Sequence, residues 1–166
     1  MVDEANKPLK PLPRSLVHKN LLFHRTAGIW VINESKQILC QKRSLKKDIK
    51  PGMWEAFFGG HLGPGEDYLG TAVKEVSEEL GISVTEEDLV LYKILKSGGT
   101  HNEFQFVCAL KLRRNDLDFN FEKEEIDELQ WYPLAKLKEI LLDRQNINWV
   151  HKPWDAEVLN WLATLT

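Results

Sequence analysis

Residues 60–82 read GHLGPGEDYLGTAVKEVSEELGI, a Gly-Pro-Gly turn running into a segment with the period of a helix. Over 67–80, Leu69, Ala72, Val73, Val76 and Leu80 fall at i, i+3, i+4, i+7 and i+11, so one apolar stripe runs along that helix. Gly81 follows as a C-cap able to take left-handed backbone, with Ile82 beyond it for the accompanying apolar contact. On the same helix Glu75, Glu78 and Glu79 stand at i, i+3 and i+4 and share an arc of roughly 100°, centred roughly 130° from the stripe. The helix can therefore pack its back and present a carboxylate face, bordered by Lys74. Each pair of like charges costs an isolated helix a few tenths of a kcal/mol, so something cationic should offset them. A hard divalent cation suits an all-oxygen set of this kind. Taken alone, Glu-x-x-Glu-Glu most often means a solvated acidic face, and the surrounding residues carry the stronger signal.

Upstream, residues 26–33 and 37–43 are β-prone runs joined by the polar Glu34-Ser35-Lys36, a hairpin pattern. A basic loop, Lys46-Lys47-Asp48-Ile49-Lys50, closes at the turn pair Pro51-Gly52, and residues 54–58 read as a short strand ending at Gly59-Gly60. Downstream, residues 89–95 and 103–112 form a second hairpin that turns near Gly98-Gly99. Residues 126–132 are a further strand, Pro133 begins a helix to about Leu142, and a last helix starts near Pro153 with Trp154, Val158, Trp161 and Leu162 at helical spacing. This order implies an α/β fold in which helices cover both faces of a mixed sheet. Pro8, Pro11 and Pro13 among lysines suggest that residues 1–20 form an extended, loosely held arm before a single domain over 21–166.

The chain has 166 residues, enough for one domain with its own core, and it is 43% hydrophobic and 28% charged, the balance of an ordinary globular protein. A net charge of -3 argues against a duplex nucleic-acid binder but leaves a nucleotide open as a small ligand. No apolar run approaches the ~20 residues of a membrane span, and the N-terminus lacks a signal-peptide pattern, so the expected location is cytoplasmic. Cys40 and Cys108 each sit in an apolar strand, which favours buried, inert thiols over a disulfide.

The stretch from Gly60 through Glu66, the Lys74-Glu75 pair and Glu78-Glu79-Leu80-Gly81-Ile82 resembles the Nudix box, the signature of the Nudix hydrolase family. Every fixed position agrees except Lys74, where the family has Arg. The resemblance implies a Nudix-type α/β/α sandwich and a hydrolase that cleaves a phosphoanhydride bond in a nucleoside diphosphate linked to another group, or a similar small diphosphate. It also implies Mg2+, with Mn2+ as a substitute, held by Glu75, Glu78, Glu79 and the carbonyl of Gly60. Glu66 and Lys74 would brace the loop that presents Gly60, although Lys keeps the charge of Arg without its planar fork. Glu125 is the first choice and Glu103 the second for a further acidic participant or base, and the box carboxylates Glu75, Glu78 and Glu79 complete the catalytic set. Arg43, Lys47 and His61 are candidate substrate contacts, since Arg and Lys attract phosphate oxygens and His61 adjoins the Gly60 carbonyl. His24 reads as a strand histidine satisfied by hydrogen bonds. In this family loops and dimer contacts outside the box set specificity, so a homodimer is compatible with the reading.

His24-Arg25-Thr26-Ala27, Gln41-Lys42-Arg43-Ser44, Pro51-Gly52-Met53-Trp54 and Gly59-Gly60-His61 resemble the Nudix branch that includes isopentenyl-diphosphate isomerase, whose members also carry a His pair like His18 and His24. That enzyme moves protons at carbon with a Cys two residues before the loop His, and here that position is Gly59. The isomerases also degrade the box, which this chain keeps. Hydrolysis is therefore the first expectation, with an isomerase and a catalytically silent nucleotide-binding module as the alternatives.

Overall fold

A computed structural model describes residues 1–99, 102–113 and 118–165. The sheet grows from β1 (His24–Asn33), buried along nearly its whole length. A strand covered on both faces needs an almost unbroken apolar run, and Ala27 to Ile32 supplies one. β5 (Glu103–Leu112) lies parallel to β1 from His24↔Glu103 to Asn33↔Leu112, and β4 (Leu89–Ser97) pairs antiparallel on its outer side. β2 (Gln37–Arg43) returns from β1 through a turn in which the Asn33 side chain accepts the Gln37 amide at 2.9 Å, and β6 (Ile126–Pro133) lies antiparallel to β2.

After Val31↔Leu39 and Ile32↔Ile38 the hairpin strands part, and residues 54–61 enter between them. β3 (Trp54–Glu55) pairs with β2, after which the chain crosses to β1 through bridges Ile29↔Phe58 and Thr26↔His61. The strand expected over 54–58 is therefore two short pairings to different neighbours. This crossing delivers Gly59, Gly60 and His61 to the opening between β1 and β2.

One face of the sheet packs against α2 (Tyr68–Leu80), where Ala72, Val76 and Leu80 meet Ile29, Val31 and Cys108. Asp67 caps this helix by accepting the Gly70 amide at 2.8 Å, and Gly81 ends it at φ 68°. A Cβ on Gly81 would stand 2.4 Å from the Asn120 carbonyl oxygen, so both the backbone and the space require glycine. The other face packs against α3 (Leu134–Leu142) and α4 (Asp155–Leu162), through Leu137, Leu141, Val158, Leu159 and Leu162 against Trp30, Ile32, Cys40 and Val107. The result is a six-stranded mixed sheet between helical layers. Both cysteines are buried thiols outside any disulfide, and among the described residues no helix is long and apolar enough to cross a membrane.

Residues 1–20 depart from the extended, loose arm expected of them. Val2 and Val17 are buried, and the Val2 amide donates to the Phe23 carbonyl at 2.8 Å. Arg25 donates to the side chain and the carbonyl oxygen of Asn6, at 2.8 and 2.6 Å. Pro13 does not prevent order but precedes α1 (Arg14–Lys19), because a proline-fixed φ is compatible with a helix start. Apolar anchors outweigh the prolines, and the arm carries Arg14 and His18 to the border of a cavity.

Candidate active site

Where residues 58–61 cross beneath α2, a cavity of about 420 Å³ opens. Its acidic wall comes from α2. Glu79, expected on an exposed helix face, is only 8% exposed, and its Oε2 accepts the Gly59 amide at 2.9 Å. Burial, and then the neighbouring Glu75, push its carboxyl well above the usual range. Glu75 is raised to about 7, first by burial and then by Glu78. Its Oε1 lies 2.2 Å from where a Cβ on Gly60 would stand, so the missing side chain is what lets the carboxylate meet the loop. The Gly60 carbonyl accepts the Ala27 amide at 2.9 Å and retains a second lone pair. Glu78 is exposed on the flank of the same helix and does not line the cavity.

Lys74 approaches Glu66 at 3.4 Å, while Glu66 Oε2 accepts the Gly63 amide at 2.6 Å. The loop is thus closed by one lysine contact together with a backbone bond. A carboxylate pair held above its ordinary pKa, with glycine clearing space before it, is a donor set that fits a divalent cation.

The opposite wall is basic, but most of its charge is engaged. Arg43 donates to Glu55 at 2.7 Å and, through Nε and Nη2, to the Ile49 carbonyl at 3.2 and 3.0 Å. The fork expected to meet phosphate therefore grips the protein. Lys47 is ion-paired with Glu125, and Lys152 with Glu103 at 2.5 Å. Glu103 and Glu125 both line the cavity, the first 7% exposed. Neither Glu55 nor Lys152 carried a sequence signal: the first comes from β3 and the second from the segment before α4, and only the folded chain brings them to the site.

His61 joins a cluster whose other members came from sequence as a His pair. His18, His24 and His61 each offer a ring nitrogen within 4.8 Å of the others, and the Nε2 atoms of His18 and His61 are 2.9 Å apart. Burial, with His24 next, lowers His61 to about 3, so it is neutral near pH 7 and able to donate a lone pair. His24 is buried and lies within hydrogen-bond reach of the Leu22 carbonyl at 3.0 Å, as a satisfied strand histidine should. Beside this cluster a second, mostly apolar cavity of about 560 Å³ forms between the arm and residues 61–66, sharing Arg14 and His61 with the first.

The NUDIX domain family model matches residues 22–161. The chain belongs to the Nudix family. It is 32% identical over 137 residues to the Nudix hydrolase PA4841 of Pseudomonas aeruginosa, covering 78% of this chain and 75% of that protein. It is 28% identical over 160 residues to the isopentenyl-diphosphate Delta-isomerase of Salmonella arizonae, covering 93% and 85%. The crystal structure of DR0079 from Deinococcus radiodurans superposes with a TM-score of 0.73 at 20% identity, over 97% of this chain and 96% of that one, and shows the same fold. As a Nudix hydrolase the protein acts on acid anhydrides, and Gly60, Glu75 and Glu79 of its box meet at the cavity beneath α2.

Proposed function

We propose that this Nudix hydrolase cleaves a phosphoanhydride in a nucleoside diphosphate linked to another group, or a similar small diphosphate, using Mg2+ or Mn2+. The observation that carries the reading is the pair Glu75 and Glu79, two carboxylates raised above their ordinary pKa at the Gly59-Gly60 crossing and facing a basic wall. When bound, a divalent cation supplies neutralisation of the charge that builds on the anhydride oxygens. Glu75, Glu79 and the free lone pair of the Gly60 carbonyl would hold it, with Glu78 reaching in from the flank. Glu66 and Lys74 keep the loop closed behind Gly60. The basic wall orients the diphosphate, and the protein contributes mainly position and electrostatics, as phosphoryl transfer requires. Glu125, released from Lys47 as phosphate approaches, would take a proton from the attacking water, with Glu103 the second candidate; both line the cavity.

The isomerase alternative meets a physical obstacle at residue 59. Gly59 has φ 144°, and a Cβ there would stand 2.0 Å from the Ala27 carbonyl oxygen. The position therefore offers neither a proton-carrying side chain nor room for one. The deciding experiment incubates the protein with Mg2+ and, separately, a nucleoside triphosphate, a nucleotide sugar, a dinucleotide and isopentenyl diphosphate, the last in deuterated water. Cleavage of a diphosphate with no deuterium in the isopentenyl carbons is the expected result. Deuterium exchange with dimethylallyl product, and no hydrolysis of any of the four, would reverse the assignment.

A further inference from the structure

Five cationic side chains border the acidic cavity: Arg14, Arg43, Lys47, Lys50 and Lys152. Arg43, Lys47 and Lys152 are each neutralised by a glutamate of the protein, namely Glu55, Glu125 and Glu103. Lys50 differs from these three. Among the described residues it has neither a carboxylate within ion-pair distance nor a hydrogen-bond partner. It is nonetheless partly buried, and burial followed by repulsion from Lys152 pushes its ammonium below the usual lysine range, against attraction from Glu55. A desolvated cation without a partner is costly to keep. Its persistence points to an anion that arrives later.

The backbone supports this. Lys50 has φ 52°, the left-handed region that side chains other than Gly, Asn and Asp rarely adopt. Arg43 clamps the chain on both sides of it: its guanidinium grips the carbonyl of Ile49, and its own carbonyl accepts the Gly52 amide at 3.0 Å. A non-glycine residue held in this conformation by an over-determined surround, at the rim of a cavity, is the pattern of a functional strain. We propose that Lys50 is a substrate-binding residue whose ammonium takes a phosphate oxygen of the diphosphate, the one lysine of the basic wall that can do so without first breaking an ion pair. This rests on the reading of the cavity as a diphosphate site.

The test is isothermal titration of the full chain with methylenediphosphonate, a non-hydrolysable diphosphate, in the presence of Mg2+. Lys50→Met removes the charge. Lys50→Gly removes it and also relaxes the backbone, so its melting temperature should equal or exceed that of the parent. Both variants should bind about 10- to 100-fold more weakly, the loss expected for a charge-assisted hydrogen bond, and Lys50→Arg should recover most of the affinity. Lys136→Met, on α3 and paired with Glu139, should bind like the parent. Parental affinity in Lys50→Gly overturns the assignment, because any loss confined to Lys50→Met would then belong to loop geometry. A parent protein that fails to bind the probe at all would instead remove the diphosphate reading.

Discussion

Glu75 and Glu79 are one helical turn apart, yet their surroundings differ from anything their spacing conveys. Glu79 is buried against the Gly59 amide, whereas Glu75 is shielded by the loop at Gly60 and repelled by Glu78. In metal-free protein Glu75 keeps its proton to about pH 7, while an unfolded chain releases it near 4.5. The folded state therefore binds more protons in that window, and its stability from this group is full below about pH 4.5 and lost as pH rises to about 7. Glu75→Gln should flatten that decline and raise the metal-free melting temperature at pH 8, read by thermal denaturation in a chelator. The same variant should gain less than the parent when Mg2+ is added. Glu79→Gln should fold, by circular dichroism, and lose at least ~100-fold in turnover, as expected for removing a charged ligand at the reacting centre. Near-parental turnover at saturating Mg2+ would count against the carboxylate site. The i, i+3, i+4 pattern was visible in the sequence, but burial of the last glutamate depends on a segment that crosses beneath the helix twenty residues earlier.

Two pieces of the fold act as units around this site: the crossing segment 54–61 and the loop that leads into α2. Gly59 can occupy its position only as glycine, since φ 144° and an Ala27 oxygen 2.0 Å from a built Cβ both exclude a side chain. Gly59→Ala should destabilise the protein by about 2 kcal/mol or more, measured by denaturant unfolding; a neutral result would mean that the crossing shifts freely. The loop is closed by Glu66, which accepts the Gly63 amide and meets Lys74 at 3.4 Å. Lys74→Arg should keep activity or raise it modestly, because a planar fork can make two contacts with the same carboxylate. A severe loss would mean that Lys74 has a task other than bracing. Helix α2 and its glycine cap were legible because their residues are contiguous and periodic. The division of 54–61 between two partner strands was not, since pairing partners lie outside any local window.

The N-terminal arm packs against the domain through Val2 and Val17, bringing His18 beside His24 and His61 and setting Arg14 at the junction of both cavities. Deleting residues 1–20 should lower the melting temperature by several degrees, because the seats of Val2 and Val17 become exposed, and should weaken binding of Mn2+ more than of Mg2+. The second expectation follows from ligand type: imidazole suits borderline transition metals, whereas carboxylate oxygens accept either ion. Calorimetric titration of the shortened and full chains with each ion is the measurement, and an equal loss for both would detach the histidines from metal binding.

Contiguous information was enough to specify the carboxylate helix, its cap, the order of strands and helices, and the box that places the chain among Nudix hydrolases. These follow from periods of two and 3.6 residues and from fixed spacings, which local chemistry enforces within a few turns of chain. Tertiary structure alone decided that Arg43 serves Glu55 and Ile49, that Lys47 and Lys152 are engaged by Glu125 and Glu103, that Lys50 has no partner among the described residues, and that the arm is ordered. Such outcomes depend on which charges meet across the sheet and which apolar residues find a seat. Both are properties of distance in space, and the order of residues along the chain does not carry them.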